Sequence, residues 1–471
     1  MLRFVLNDNQ VTTDRPHGLP ALDYLRRDAG LTGVKYACRE GDCGSCAVLL
    51  GRPLGDRIRY QAVTSCLLPL GALAGRHVVT IEGLNGVDLT PVQSAFVDRG
   101  ASQCGFCTPG FVVSLTGHLL ETAAWQASAM VEAIAGNICR CTGYTSILRT
   151  VDDLVCLLQR RIDPAEPRAE ALVREGLLPE YFLHVRALLD DLGDATQPAP
   201  PTQHRLIVAG GTDLYVQRPL EIEDSPVFVL REPEAPPIRH DGRHIYLAGS
   251  ATAEDLKRSE ILAESVGGID RAMELMGSWP IRNRATVAGN LVNASPIGDM
   301  TIILLALDAE IGLIRGDAKR SVPLREFYRG YKTLDLRPGE IVEWVRFSAD
   351  RERSRFSFEK VSKRTHLDIA SVNSAISLQM DGRRIAAACL SAGGVAPVPT
   401  RLPQAEAMLT GREPDAALAR EAAALARTEV APISDVRGSA GYKRLLLGQL
   451  VLAHFNVLFD VEEGLFEEVS A

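Results

Sequence analysis

Eight cysteines in the first third of the chain constrain its fold more than any other feature of the sequence. They form two groups of four, one ending at Cys66 and the other running from Cys104 to Cys141, whereas Cys156 and Cys389 stand alone. Thiols are kept reduced inside cells, so we do not expect disulfides in a chain without a recognisable secretion signal. Clustered reduced thiols indicate bound metal, and we interpret Cys156 and Cys389 as small buried apolar residues.

Composition excludes several classes of protein. The chain has 471 residues, 46% hydrophobic and 23% charged, which is typical of a globular protein with several domains. A formal net charge of -8, with no run of five like charges, argues against nucleic-acid binding. The N-terminus turns polar too soon for a secretory signal, and no apolar stretch approaches the roughly 18 residues of a membrane span. We expect a soluble, cytoplasmic protein with no membrane partner.

Hydrophobic periodicity divides the chain into domains that we expect to have separate cores. The first mixes strand patterns with a helix that Gly30 ends, and the second reads as all-α, with helices beginning near Pro91 and Pro109. A charged segment with spaced prolines reads as a surface linker. The predicted limits are an α+β domain at 1–82, a helical domain at 83–160, the linker at 161–178, a mixed domain at 179–345 and a C-terminal domain at 350–462.

The first four thiols lie in and after a glycine-rich segment, "CREGDCGSC". Cys38, Cys43 and Cys46 follow a C-x4-C-x2-C spacing, and Cys66 lies downstream. Glycines let backbone N–H groups come close to sulfur, and this spacing is the one by which plant-type ferredoxins bind a [2Fe–2S] cluster. A structural zinc site is the alternative, but such sites are usually built from two C-x2-C pairs, so the spacing favours iron–sulfur.

The second four thiols flank predicted helices. Cys104 and Cys107 stand just before the helix start at Pro109, and Cys139 and Cys141 follow another helix. Thiolates near a helix N-terminus are stabilised by its dipole and free N–H groups. A C-x-C pair is unusual for zinc, so the chemistry favours iron–sulfur here too, with zinc left open.

Two further segments are candidates for cofactor binding. In "VAGGTDL", residues 208–214, adjacent glycines after an apolar strand would let backbone N–H groups cup a phosphate, although a plain strand-to-helix turn fits equally well. The small and amide residues of 281–299 could line a cofactor or form a loop between core elements. No G-x-G occurs anywhere in the chain, which disfavours a Rossmann site.

Three motifs in order, "CREGDCGSC", "QCGFCTPGF" and "GNICRCTGY", resemble the iron–sulfur part of the molybdenum hydroxylases, the xanthine oxidase and dehydrogenase family. The resemblance implies a multidomain α+β chain with a β-grasp ferredoxin-like [2Fe-2S] domain, an all-α [2Fe-2S] domain, an FAD-binding α+β domain of the vanillyl-alcohol-oxidase/PCMH type, and a C-terminal α+β flavoprotein domain. It implies that each cysteine set holds one [2Fe-2S] cluster, and that Gln103 lies near the molybdopterin of a partner.

The same resemblance extends to the flavin segments. The residues that it implies as FAD contacts are Val208, Ala209, Gly210, Gly211, Thr212, Asp213, Leu214, Asn290, Asn293, Ser295, Asp299 and Lys360. Tyr331 matches a family tyrosine at the NAD site, although a buried core tyrosine is an equal alternative. The family's usual Gly-Gly-Asn begins with Ala288 here, which fits only if Ala288 has a negative φ. The loop at 193–204 is longer than usual and is expected on the surface.

The resemblance covers nearly the whole chain but includes no molybdenum-binding portion. It implies an electron-transfer subunit that passes electrons from a larger molybdopterin-binding partner, in an (αβ)2 heterotetramer, through two clusters to FAD and NAD. The order cluster–cluster–flavin favours the xanthine dehydrogenase type, which oxidises hypoxanthine and xanthine to urate. A related hydroxylase of aldehydes or N-heterocycles, a free-standing flavin reductase and a zinc-stapled scaffold are the alternatives. Isolated histidines, namely His118, His184 and His366, are interpreted as structural.

Overall fold

The structure of the chain is a computed structural model, and it describes residues 1–122, 125–193, 206–230, 235–349 and 354–461. It consists of two compact units. The first is built from the described parts of Met1–Ala199, Arg205–Arg231 and Ser278–Arg284, and the second from those of Glu232–Gly277 and Ala285–Ala471. The predicted surface loop at 193–204 lies, apart from its first residue, outside the described residues.

A mixed sheet opens the first unit. Its strands lie in the spatial order Asn9–Thr13, Leu2–Leu6, His77–Val79, Ala47–Leu54 and Arg57–Thr64. The first and last segments in sequence, Leu2–Leu6 and His77–Val79, pair in parallel, and the other pairs are antiparallel. The expected helix forms as Ala21–Asp23, continues as a π-helical turn at Tyr24–Asp28, and ends before Gly30 with φ +70°.

The predicted helical domain follows. Its helices are Pro91–Asp98, Thr108–Glu121, Ala127–Ala133 and Thr145–Arg161. Thr90 begins the first of them through a capping box, in which Thr90 Oγ1 accepts from Gln93 N–H and the Gln93 side chain accepts from Thr90 N–H. In the helix Thr108–Glu121, every residue from Gly110 to Leu119 is buried.

The interpretation of residues 161–178 as a surface linker is wrong. The helix Arg168–Arg174 lies in this segment, and Ala171 and Leu172 on it are fully buried. Leu177 and Leu178 join the same hydrophobic core as the helical domain. The charged residues face solvent while a few apolar ones face the core, so composition alone hides an amphipathic segment. A 3-10 turn at Glu180–Leu183 and the helix Val185–Asp190 continue it.

The expectation of separate cores is also wrong for the first described strand of the mixed domain. The strand Leu206–Val208 pairs in parallel with Val227–Val229. In the sequence, the helices Leu214–Gln217 and Pro219–Asp224 connect these two strands. Val208 and Tyr215 are buried in one core with Leu67 and the rest of the N-terminal sheet. The phosphate-loop candidate and the first cysteine set are therefore parts of one packed body.

A short segment from later in the sequence also packs into the first unit. The helix Trp279–Arg282 buries Trp279 against the helical domain and the whole Arg282 side chain. Arg282 forms an ion pair with Glu132 at 2.5 Å, and Asn283 Nδ2 donates to the carbonyl of Ala62. A buried charged residue requires such a partner, because an unpaired charge in the interior is strongly unfavourable.

The second unit contains a sheet followed by a smaller sheet with helices. The first has strands in the order Ala318–Pro323, Glu310–Arg315, Ile341–Ser348, His244–Ala248 and Ile238–His240. Its helices are Ala253–Lys257, Glu260–Ser265, Ile269–Glu274, Val287–Asn293, Asp299–Ala306 and Leu324–Phe327. A small hairpin joins Tyr328–Gly330 to Thr333–Leu334.

The C-terminal part has an antiparallel sheet packed against helices. Its strands are Ser354–Val361, Val372–Asp381, Arg384–Gly393 and Thr400–Arg401, and its helices are Pro403–Leu409, Ala416–Thr428 and Ala440–Phe459. None of the described helices is both long and apolar enough to cross a lipid bilayer.

The isolated cysteines and histidines that were interpreted as structural differ in their exposure to solvent. Cys156 is exposed, so its interpretation as a buried apolar residue is wrong, and Cys389 is half-buried with its Sγ 3.1 Å from an Arg401 nitrogen. His118 is buried and makes an edge contact with Trp279. His184 is exposed.

Candidate functional site

The first cysteine set folds into two pairs of thiols. The Sγ atoms of Cys38 and Cys43 are 3.2 Å apart, and Cys46 and Cys66 lie side by side in hydrogen-bonding contact in the buried core. The hydrogen bond with Cys38 lowers the pKa of the Cys43 thiol, the direction that favours a metal-binding thiolate. The backbone N–H groups of Glu40 and Cys43 point at Cys38 Sγ.

The second set forms two pairs in the same way. Cys107 is hydrogen-bonded to Cys139, and Cys104 to Cys141. Cys107 immediately precedes the helix Thr108–Glu121. The hydroxyl of Thr142 donates a hydrogen bond to Cys139 Sγ at 3.1 Å. Metal-bound thiolates accept hydrogen bonds of this kind.

Pairing of the thiols tests which metal fits them. A mononuclear zinc site needs four ligands around a single point. A [2Fe–2S] cluster is held by four thiolates around two irons, an arrangement that thiols grouped in pairs fit. The paired thiols of each set therefore fit a dinuclear cluster, and the assignment of all eight cysteines as cluster ligands stays a prediction.

The two ligand turns contact each other directly. The N–H of Ile138, the residue before Cys139, donates to the carbonyl of Cys43 at 3.0 Å, and Asn137 Nδ2 donates to the carbonyl of Gly44. A Cβ placed on Gly110 would lie 2.4 Å from that same Gly44 carbonyl oxygen. The glycines thus permit an approach that any side chain would prevent.

The glycine-rich loop at 208–214 lies against the first ligand turn. Gly211 has φ +85°, and a Cβ there would lie 2.5 Å from the carbonyl oxygen of Leu67, the residue after Cys66. Gly210 and Gly211 are buried, Thr212 is half-buried and Asp213 is exposed. Glycines at these positions would let backbone N–H groups approach a phosphate, whereas the Asp213 carboxylate itself would repel one.

Arg284 is a residue at this loop that the sequence reasoning missed. Its guanidinium is buried and donates to the carbonyl of Ala209 at 3.1 Å. The contact orients the first peptide of the loop. Arg284 falls inside the segment 281–299 chosen from the sequence, but as one cation among several it carried no distinguishing signal.

In the second unit, the "AGN" turn is helical. Ala288 lies inside the helix Val287–Asn293 and is not among the residues with positive φ, so the methyl group is accommodated. Thr286 Oγ1 caps this helix by accepting from Gly289 N–H. Asn290 Oδ1 accepts from both the N–H and the hydroxyl of Thr301, which fixes the amide.

Asp299 and Lys360 meet in a buried ion pair. Lys360 Nζ lies 2.7 Å from Asp299 Oδ2 and also donates to the carbonyl of Leu275. The other carboxylate oxygen accepts from Nδ2 of Asn373, a fully buried residue on the strand Val372–Asp381. Asn373 is a further residue that the sequence reasoning did not identify. Ser295 stands nearby in sequence, with its hydroxyl accepting from Ile297 N–H.

Tyr331 is 65% exposed, so the alternative of a buried core tyrosine is wrong. It sits in the tight hairpin beside Lys332, which has φ +54° and whose ammonium contacts both the carbonyl and the side chain of Asn293. Lys332 directly follows Tyr331 in the same sequence motif. A lysine at this position was a signal that the sequence reasoning did not use.

Gln103 and half of the second cysteine set lie on the surface. Gln103, Cys104 and Cys141 are exposed. Apolar side chains around them are also exposed: Phe106 at 43%, Ile138 at 39% and Tyr144 at 40%. An apolar, ligand-bearing face of this kind suits contact with another protein chain.

Family models match four successive parts of the chain. They are described as a 2Fe-2S iron-sulfur cluster binding domain at residues 4–70, a [2Fe-2S] binding domain at 80–152, an FAD binding domain in molybdopterin dehydrogenase at 187–348, and a CO dehydrogenase flavoprotein C-terminal domain at 357–457.

Curated relatives are similar to this chain over most of its length. Xanthine dehydrogenase of Emericella nidulans is 27% identical over 88% of this chain and 35% of its own length. Xanthine dehydrogenase/oxidase of Rattus norvegicus is 28% identical over 75% of this chain and 31% of its own, and aldehyde oxidase 2 of the same animal 26% over 95% and 38%. The chain spans about a third of the length of these relatives.

Among solved structures, carbon monoxide dehydrogenase from Hydrogenophaga pseudoflava, described as lacking the Mo-pyranopterin moiety of its cofactor, aligns with a TM-score of 0.51. The alignment is 25% identical and covers 59% of this chain and 94% of that one. The predicted fold class is confirmed: two iron–sulfur domains, an FAD-binding domain and a CO-dehydrogenase-type flavoprotein domain. With this order of domains, the chain is similar to the iron–sulfur and FAD module of the molybdenum hydroxylases.

Proposed function

We propose that this module is the electron-transfer subunit of a xanthine dehydrogenase. A partner subunit that binds molybdopterin would oxidise hypoxanthine and xanthine to urate, and the electrons would leave through this chain to NAD. The clusters, when bound, supply one-electron transfer and FAD converts pairs of electrons into hydride transfer. The protein's part is to hold these groups close together in a packed interior.

The observation that carries the proposal is the continuity of contacts in the first unit. The second ligand set touches the first through Ile138 N–H and the Cys43 carbonyl. The first set in turn touches the phosphate loop through Leu67 and Gly211. All three sites therefore lie on one series of direct backbone contacts, with glycine at the closest approaches.

The exposed face around Gln103, Cys104 and Cys141 supports a partner at the start of this series. A short distance to the partner favours electron transfer; two ligands of the second set are exposed, whereas Cys46 and Cys66 of the first set are buried. The second set is thus the better entry point. Its exposed apolar neighbours fit a molybdopterin-binding chain in an (αβ)2 assembly.

Tyr331 supports NAD as the acceptor. An exposed aromatic ring on a short hairpin that Lys332 ties to Asn293 offers a stacking surface for a nicotinamide. Asn293 is one of the residues that we assign to FAD. The ring would therefore stand at the place where a hydride leaves the flavin.

The purified chain alone and the complex with its partner subunit test the proposal. We expect about four irons and one FAD per chain, reduction of artificial dyes by NADH, and xanthine oxidation only after the partner is added. Xanthine hydroxylation by the isolated chain, or stoichiometric zinc without iron, would contradict it.

A related hydroxylase is the second candidate, because aldehyde oxidase 2 matches 95% of this chain at nearly the same identity. The substrate pocket would lie on the partner, so the partner decides. Comparing turnover of xanthine, an aromatic aldehyde and an N-heterocycle by the reconstituted complex separates these activities. Steady NADH oxidation coupled to another carrier, with no turnover of any of them, would favour a free-standing flavin reductase.

A further inference from the structure

Arg39, which follows the ligand Cys38, has an unusual backbone conformation. Its φ is +56°, in the left-handed region that favours glycine. This conformation turns the N–H of Glu40 back towards Cys38 Sγ, at 3.4 Å. An arginine held there needs a compensating interaction, since a glycine would adopt the same turn without strain.

Asp23 supplies that interaction. The two terminal nitrogens of Arg39 contact the two carboxylate oxygens of Asp23 at 2.9 and 2.7 Å, a bidentate pair. The Asp23 side chain is 5% exposed and that of Arg39 is 41% exposed. Arg27 approaches the same carboxylate at 3.5 Å from a side chain that is 67% exposed. Arg39 is thus the principal partner of a buried carboxylate.

The pair lies within electrostatic reach of the ligand thiols. Arg39 directly follows the ligand Cys38 in the chain, so its guanidinium and the Asp23 carboxylate stand beside the ligand turn. The guanidinium also lies 5.0 Å from the centre of the Tyr36 ring, which covers its face. Charges this close to a redox centre in a partly buried site shift its reduction potential.

We propose that Arg39 and Asp23 act as positioning residues that set the reduction potential of the centre held by Cys38, Cys43, Cys46 and Cys66. The clamp holds the ligand turn in its left-handed conformation, and the two opposite charges balance next to the centre. This inference rests on the proposed function, because it assumes that the first cysteine set carries a redox-active cluster.

Opposite shifts are expected when either charge is removed. Arg39→Gln leaves a buried carboxylate uncompensated, so adding an electron becomes less favourable and the potential falls. Asp23→Asn leaves the guanidinium uncompensated, so the potential rises, by a smaller amount because Arg39 is better solvated. The double variant should return close to the unmodified chain. A purely structural clamp would predict losses of the same kind in both single variants.

The experiment is a redox titration of the full chain with FAD bound, in which electron paramagnetic resonance measures the fraction of each cluster that is reduced. The second cluster, which Arg39 and Asp23 do not touch, serves as an internal reference. We expect at least a tenfold change in the oxidised-to-reduced ratio for Arg39→Gln, which is about 59 mV for a one-electron couple. Arg27→Gln is the matched control and should shift the first centre far less.

Arg39→Gly guards against loss of the fold, since glycine adopts the turn freely while the charge is removed. It should also lower the potential. Shifts of the same sign in Arg39→Gln and Asp23→Asn, or an unchanged potential in Arg39→Gly with iron retained, would overturn the inference. A chain without iron would instead refute the proposed function, so the two failures are distinguishable.

Discussion

The amide of Ile138 donates to the carbonyl of Cys43 at 3.0 Å, which joins the ligand turns of the two cysteine sets by one hydrogen bond. Ile138 precedes the ligand Cys139 in the chain, so few covalent bonds separate this contact from a ligand on either side. The distance between the two clusters is therefore set by backbone contacts. Substitutions that push the turns apart should therefore uncouple the two centres.

Gly110→Ala tests this relationship. An added Cβ would lie 2.4 Å from the carbonyl oxygen of Gly44, a backbone atom that cannot rotate away. Alanine is favoured over glycine in a helix by about 1 kcal/mol, but overpacking costs typically 1–3 kcal/mol. We expect a net loss of stability and a weaker magnetic interaction between the two reduced clusters. Gly86→Ala, where the nearest atom lies at 3.4 Å, is the control and should change neither quantity.

Gly211→Ala should disturb both the flavin and the first cluster. Its Cβ would lie 2.5 Å from the Leu67 carbonyl oxygen, and its φ of +85° disfavours any side chain. We expect loss of FAD together with an altered paramagnetic resonance signal from the first cluster. Gly242→Ala has a similar φ of +89° with no atom within 4 Å, so it isolates the cost of the conformation and should retain FAD. An unaltered cluster signal in a flavin-free Gly211→Ala would argue against the shared core.

Local sequence signals predicted the parts of the fold that depend on local chemistry. The cysteine spacings, Thr90 before Pro91, and Gly30 after the first helix each dictate a turn or cap without help from distant residues. The same reasoning grouped the eight thiols into two sets, and the structure brings the thiols of each set together in pairs.

Features that depend on distant contacts escaped it. Nothing near Arg282 in the sequence announces that Glu132 will pair with it, and Asn373 looks like any polar residue in a strand until Asp299 is placed beside it. The segment 161–178 was misread because its charges outnumber the few apolar residues that decide its burial. Burial is set by which face meets the core, and composition averages over both faces.

Lys360→Met should reveal how much the buried ion pair contributes. The Lys360 side chain is 2% exposed and that of Asp299 11%, so removing the ammonium leaves a carboxylate poorly solvated. Breaking such a pair typically costs 3–5 kcal/mol. We expect a loss of that order in chemical denaturation and weaker FAD binding, partly restored by adding Asp299→Asn. The surface pair of Lys319 and Glu343 is the comparison, where Lys319→Met should cost less than about 1 kcal/mol.

Tyr331→Ala should impair NADH oxidation more than dye reduction by the fully reduced chain. The side chain is 65% exposed, so its removal should leave stability within about 0.5 kcal/mol of the unmodified chain. Tyr331→Phe keeps the ring and should restore most of the NADH rate. Equal losses in both assays would show that the ring has no role in nicotinamide binding.

His77 should make the first unit acid-sensitive. The imidazole is fully buried, and because the Asn7 carbonyl can only accept, Nε2 carries the proton while Nδ1 accepts from the Tyr60 hydroxyl. Burial lowers the pKa of His77 from 6.5 to about 4. The unfolded chain therefore binds a proton first as the pH falls, and stability that is complete above pH 6.5 is lost between 6.5 and 4, at up to about 1.4 kcal/mol per pH unit.

We expect His77→Gln, which can keep both hydrogen bonds, to flatten this dependence when unfolding free energies are compared at pH 7.5 and 5.5. The exposed His184 provides the control, since His184→Gln should leave the slope unchanged. Parallel pH profiles for the unmodified chain and His77→Gln would mean that the folded and unfolded chains bind the same number of protons at His77, so that burial does not lower its pKa. That outcome would contradict the burial of a neutral imidazole at this position.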